Sequence, residues 1–138
     1  MLSPKRTKYR KPHHGHQKGR GFFGHLISFG EYGIQALESG WVSSRQIEST
    51  RRVLTRYVRR SGKLWIRIFP DKLLTKRASE TRIGSGKGSA DRWVAVIRPG
   101  TIIFELRGIS INVAHQARRI SRSKLPTKVH FVIKIYYD

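Results

Sequence analysis

The sequence contains no cysteine, so a disulfide framework, a thiolate metal site and a thiol nucleophile are all closed to it. It has no apolar run near the ~18 residues that would suggest a membrane span. Acidic residues are scarce: 8 Asp and Glu stand against 29 Lys and Arg in 138 residues, a formal net charge of +21. The few carboxylates are scattered, so paired acid/base chemistry has no evident pair, and no G-x-S-x-G motif offers a nucleophile. Hydrophobic content is low at 38%, yet three Trp, five Tyr and six Phe are too many for a chain that never folds. The length fits one domain with a modest core. A compact body with this charge repels itself unless it is bound to a large polyanion, which argues against an ordinary self-contained enzyme.

The charge is not spread evenly. No acidic residue precedes Glu31, and residues 1–22 form a basic arm carrying Lys5, Arg6, Lys8, Arg10, Lys11, Lys18 and Arg20. Pro4, Pro12 and Gly15 punctuate it, and it has no apolar stretch to bury, so alone in water it is expected to be disordered. It lacks the apolar region of a secretory signal and the amphipathic Ser/Arg pattern of a transit peptide. The reading is an arm that orders on nucleic acid, with Tyr9 able to stack on a base. His13, His14 and His16 invite a metal hypothesis, but no Cys or nearby carboxylate completes a ligand set. Base or phosphate contact suits these imidazoles better.

Residues 23–138 read as one α+β domain: two amphipathic helices on an antiparallel or mixed sheet. Short strands are expected at Leu26–Phe29 and Gly33–Glu38, with Gly30 and Gly33 marking the turn between them. Ser43, with Gln46 three residues on, is a capping-box start for a helix that Gly62 would stop. Its inner face is Ile47, Leu54 and Val58, widened by Val53 and Tyr57. Arg45, Arg52, Arg56, Arg59 and Arg60 fall opposite. A solvated face would mix signs, but here Glu48 is the only acid, and guanidinium groups suit bidentate contact to phosphate.

Leu64–Phe69 reads as a strand. Trp93–Ile97 and Thr101–Arg107 read as a strand pair turned at Pro99–Gly100. A second helix from about Ser110 turns Val113, Ala117 and Ile120 inward and His115, Arg118, Arg119 and Arg122 outward. Val129–Tyr136 closes the chain as a strand. Between Pro70 and Trp93 a long basic loop, residues 71–92, contains Arg82, Gly84, Gly86, Lys87 and Gly88. It is not a Walker loop, because Thr81 and Gly88 stand where a Gly and a Ser or Thr are required. What survives is a glycine-rich backbone that a phosphate can approach, flanked by two cations.

Four stretches together resemble one known family. They are Met1–Lys11, the helix segment Arg45-Gln46-Ile47-Glu48 with Arg51-Arg52, the strand Gly62–Lys72, and Arg82–Gly88 followed by Trp93-Val94-Ala95. In this order, over nearly the whole chain, they are similar to the large-ribosomal-subunit protein sixteen family of bacteria and organelles. The resemblance implies a hammerhead-type α+β domain with no enzymatic activity and no cofactor or metal. It implies contact with large-subunit ribosomal RNA beside the aminoacyl-tRNA site and the peptidyl-transferase centre, late joining in subunit assembly, and neighbouring large-subunit ribosomal proteins as partners. No membrane or small-molecule substrate is implied.

On this resemblance the arm threads between RNA segments and the Arg face clamps RNA backbone. The loop around Arg82 and Lys87 points toward the functional core and its tRNA. The family motif starts at Met1, so no cleavable import sequence is expected ahead of it. The stretch Ala36–Trp41 with Ser44–Glu48 resembles plastid members, which places the chain in a plastid (chloroplast) ribosome. Bacterial cytoplasm and mitochondrion stand as alternatives. A DNA-architectural protein would be equally basic, but it would usually show a dimer interface or a DNA-binding motif. An RNA-modifying enzyme would need a cofactor pocket and a base, neither of which the sequence offers.

Overall fold

Ser43 starts the first helix as its composition suggests. Its Oγ accepts from the Gln46 N–H at 3.3 Å, and the Gln46 side chain accepts in return from the Ser43 N–H at 2.9 Å. The computed structural model describes residues 2–59 and 62–135. In chain order the elements are β1 (Tyr32–Ala36), β2 (Gly40–Ser43), α1 (Ser44–Val58), β3 (Lys63–Ile66), β4 (Lys72–Lys76), β5 (Ser89–Ile97), β6 (Ile102–Arg107), α2 (Ile111–Arg122) and β7 (Val129–Ile133). They build two antiparallel sheets, β3-β6-β1-β7 and β2-β5-β4. With two helices this is an α+β fold.

Ile47, Leu54 and Val58 on α1 are buried in a core shared with Ile34, Val42, Ile97, Phe104, Leu106 and Ala117. Each of these side chains except Ala117, whose single methyl gives less, contributes about 1.5–3 kcal/mol by leaving water. α1 packs on α2, and α2 on β7. Every residue from Ile102 to Leu106 is fully buried, so both pleated faces of β6 are covered.

Several expected boundaries move. The segment Leu26–Phe29 is not a strand. The N–H groups of Ser28, Phe29 and Gly30 are bonded to the side chain of Glu105 instead of a neighbouring strand. Gly33 lies inside β1, paired with Glu105 and Val132, and is not a turn residue. β2 has no counterpart among the expected elements; it is four residues long and runs directly into the helix cap.

α1 ends at Val58 rather than near Gly62, with Arg59 as C-cap at φ 57°. Gly62 is required for packing, since a Cβ there would run into Val58 Cγ1. β3 stops at Ile66, short of Phe69. The stretch 71–92 is not all loop. It contains β4 and the start of β5, paired as a hairpin, which leaves residues 77–88 as the connection. Trp93–Ile97 and Thr101–Arg107 do not pair with each other, because the turn at Pro99–Gly100 sends β5 and β6 into different sheets. In α2 the fully buried positions are Ala114, Ala117 and Ser121, with Val113 and Ile120 half-buried. β7 ends at Ile133, and Tyr136 lies outside the described residues.

Candidate nucleic-acid interface

The arm lies along the sheet that holds the hairpin, and mostly its backbone makes the contacts. Leu2 and Ser3 line a concavity with Ser44 and Arg45 at the start of α1. Farther on, Lys87 Nζ donates to the Pro12 carbonyl at 2.5 Å, and Lys11 Nζ donates to the Lys87 carbonyl at 3.2 Å. Lys72 Nζ donates to the His14 carbonyl. The His14 ring meets Trp41 edge-on at 5.6 Å between centroids, and Lys72 Nζ sits 5.2 Å from the same indole. Gly21 N–H then donates to the Pro99 carbonyl at 3.0 Å.

Because carbonyls do most of the docking, most of the arm's side chains stay free; Lys11 and His14, which touch the body, are the exceptions. Lys5, Arg6, Lys8, Tyr9, Arg10, Lys11, His13, His14, Lys18 and Arg20 are all exposed. The arm that composition alone would leave disordered is thus held by cations of β4 and the hairpin loop. Ordering a residue costs about 1–2 kcal/mol, so an arm placed beforehand meets part of that cost before any partner arrives.

The hairpin loop separates its glycines into two kinds. Gly84 and Gly86 have φ of 115° and 79°, with Ser85 between them at 59°, and a Cβ on either glycine would meet nothing within 4 Å. Their role is conformational, and the backbone there is open to an incoming group. Gly88 differs: a Cβ would lie 2.5 Å from the Lys76 carbonyl oxygen, so it serves hairpin closure. Arg77 donates to the Gly86 carbonyl and braces the loop. Arg82 and Lys87 are exposed on it. The arm and the loop, separate in sequence, meet at Lys11, Pro12 and Lys87.

On α1, Arg45, Arg52, Arg56 and Arg59 are exposed on the side away from the core. Arg60 lies outside the described residues. Glu48 binds Arg51 at 2.8 Å and Arg52 at 3.1 Å. The hydrogen bond from Arg51, then that from Arg52, holds its carboxyl at about 2, far below the usual carboxylate range. Among the described residues no carboxylate pairs with Arg45, Arg56 or Arg59. On α2, Arg122 is exposed, but Arg118 is half-buried and donates to the Val129 carbonyl at 3.3 Å. It therefore ties the helix to β7 instead of standing outward. His115 lies against Phe131 at 4.3 Å between centroids.

Two features carry little or no signal in the sequence pattern. Lys72, which docks the arm, looks there like any other cation of a basic loop. Glu105 is wholly buried, and its oxygens accept from Ser28, Phe29 and Gly30 N–H at 3.1, 2.6 and 2.7 Å and from Arg67. Burial alone would push its carboxyl up, but those three N–H groups and Arg67 outweigh it, and the net direction is down. A lone acid inside Ile102–Leu106 was the available signal, since a buried charge demands partners. Among the described residues no cluster of three His, Asp or Glu could hold a metal ion, and no helix is long and apolar enough to cross a membrane.

Residues 4–132 match the family described as ribosomal protein L16p/L10e. The large ribosomal subunit protein uL16c of Tetradesmus obliquus is 61% identical over 132 residues, covering 96% of each chain. That of Ostreococcus tauri is 53% identical over 99% of this chain and 97% of its own. The large ribosomal subunit protein uL16 of the Trichodesmium erythraeum strain IMS101 is 55% identical over 97% of this chain and 98% of its own. With a match across nearly its whole length and relatives more than half identical, the chain belongs to the ribosomal protein L16p/L10e family.

Proposed function

We propose that this chain is a structural constituent of the large ribosomal subunit of a plastid, not a catalyst. It binds large-subunit ribosomal RNA near the aminoacyl-tRNA site and the peptidyl-transferase centre. There it supports late subunit assembly and the positioning of tRNA. The observation that carries this reading is the arm: docked mainly by its backbone, with its cations other than Lys11 turned out, and joined at Lys11–Lys87 to a loop whose backbone is open at Gly84 and Gly86.

In this reading the labour is divided among three surfaces. The arm and the exposed Arg face of α1 neutralise phosphates without reading sequence, which gives affinity that falls with salt. Arg122 and the neighbouring Arg119 extend that surface onto α2. The loop around Arg82, Gly84, Gly86 and Lys87 is the element suited to close approach by an RNA backbone, and it is the part assigned to the tRNA side. Neighbouring large-subunit proteins complete the set of partners. Family membership, the name uL16c of the relatives from Ostreococcus tauri and Tetradesmus obliquus, and the plastid-like stretch 36–48 support the compartment.

Gradient sedimentation of organelle lysate tests the reading. The protein is expected to run with large ribosomal subunits and to leave them only on high-salt washing. Retention in the light fractions, with subunits running below, would overturn it.

A further inference from the structure

The segment 21–30 touches the body at every third residue. Gly21 N–H is bonded to Pro99, and a Cβ there would lie 2.7 Å from Thr101 Oγ1, so nothing larger than glycine fits unchanged. The Gly24 carbonyl accepts from Ile102 N–H at 2.9 Å, with φ at 74°. Ile27 is buried beside Gly33, and Gly30 is held by Glu105.

Between the first two anchors stand Phe22 and Phe23, 80% and 92% exposed. The His25 ring donates back to the Phe22 carbonyl at 2.9 Å and tightens the same turn. A pinned backbone presenting two consecutive bare phenylalanines to water is the arrangement of a contact surface, not of a loose tail. The surroundings state what kind. Arg20 is exposed on one side, Arg98 stands next to Gly21, and no acid precedes Glu31. Exposed rings on a segment with arginines beside it and no acid before Glu31 fit a polyanion whose own surface offers flat faces.

We infer that Phe22 and Phe23 are a stacking platform for unpaired RNA bases, with Arg20 and Arg98 on the adjoining phosphates. This rests on the RNA-binding reading above and extends it from backbone contact to base contact.

The test measures binding of the full chain to a large-subunit ribosomal RNA transcript across a salt series. Paired variants are used: Phe22→Ala with Phe23→Ala, Phe22→Leu with Phe23→Leu, and Phe22→Tyr with Phe23→Tyr. The Ala and Leu pairs are expected to bind about tenfold more weakly per ring removed, whereas the Tyr pair stays close to wild type. The slope of log K against log salt should not change, because every phosphate-binding cation is kept. Both side chains are exposed, so thermal melting should be the same for all variants.

Wild-type affinity in the Leu pair would overturn the inference, since apolar area without a ring face would then suffice, as in a protein pocket. Wild-type affinity in the Ala pair would overturn it outright. If the unmodified chain fails to bind the transcript, the ribosomal reading itself falls, and this inference with it.

Discussion

Replacing Glu105 tests the physical account most severely. Its carboxylate oxygens divide four donors: Ser28 N–H and Arg67 on Oε1, Phe29 and Gly30 N–H on Oε2. Glu105→Gln keeps the volume, but whichever way the amide turns, its NH2 faces a pair of donors. Glu105→Ala leaves all four without their acceptor. Ser28 and Phe29 are on exposed residues and can recover water, whereas Gly30 is buried and Arg67 largely so. Removing one partner of a buried ion pair costs about 3–5 kcal/mol, and the loss should fall near the lower end because two donors rehydrate. For a chain of this size that is a melting temperature lower by about 10 °C or more.

The pH dependence gives a second reading of the same site. Glu105 has its pKa lowered in the folded chain, so the fold binds fewer protons there than the unfolded chain does. The resulting stability is fully present above the ordinary glutamate value of about 4.3. It drains away as pH falls through the lower folded value. The difference between wild type and Glu105→Gln isolates this contribution from that of Glu48, which is present in both. Urea unfolding between neutral and acid pH measures it. A Gln variant as stable as wild type, with the same acid profile, would refute the reasoning.

Exchanging Arg52, Arg56 and Arg59 for Gln should flatten the slope of log K against log salt for RNA binding by up to about 0.9 for each phosphate no longer neutralised; an unchanged slope would mean that this face meets solvent in the subunit. Gly86→Val forces a branched residue into φ 79° with no crowding around it. It should therefore impair translation more than subunit assembly, as ribosome profiles and peptide synthesis by purified subunits would tell; equal impairment of both would point to a folding role. Ser43→Ala removes half of the capping box and should cost about 1 kcal/mol in urea unfolding, with a cost below a few tenths arguing that the Gln46 side chain suffices alone.

What was legible in the sequence was local. The start of α1 could be read because a capping box is complete within four residues and needs no partner elsewhere. The exposed Arg face followed from the same helical period. β4 was not legible: Lys72–Lys76 has two adjacent leucines and no alternation, and it becomes a strand only by pairing with β5. The turn at Pro99–Gly100 looked like a hairpin because sequence shows the turn and not the neighbours that each strand chooses. The arm's lack of apolar residues predicts disorder, and composition does not record docking through carbonyls. The meeting of Lys11 with Lys87 spans most of the chain, so no window of sequence could reveal it.

Ser43 is both the last residue of β2, paired with Val94 of β5, and the cap of α1. No linker separates sheet from helix, so the azimuth of α1 is set by the strand register. One extra residue at this joint would turn the helix by about 100°. Arginines would then swing toward the core and Ile47 and Leu54 toward the exposed side. The orientation of the helix's charge is thus dictated by a ladder of backbone hydrogen bonds in which none of the arginines takes part.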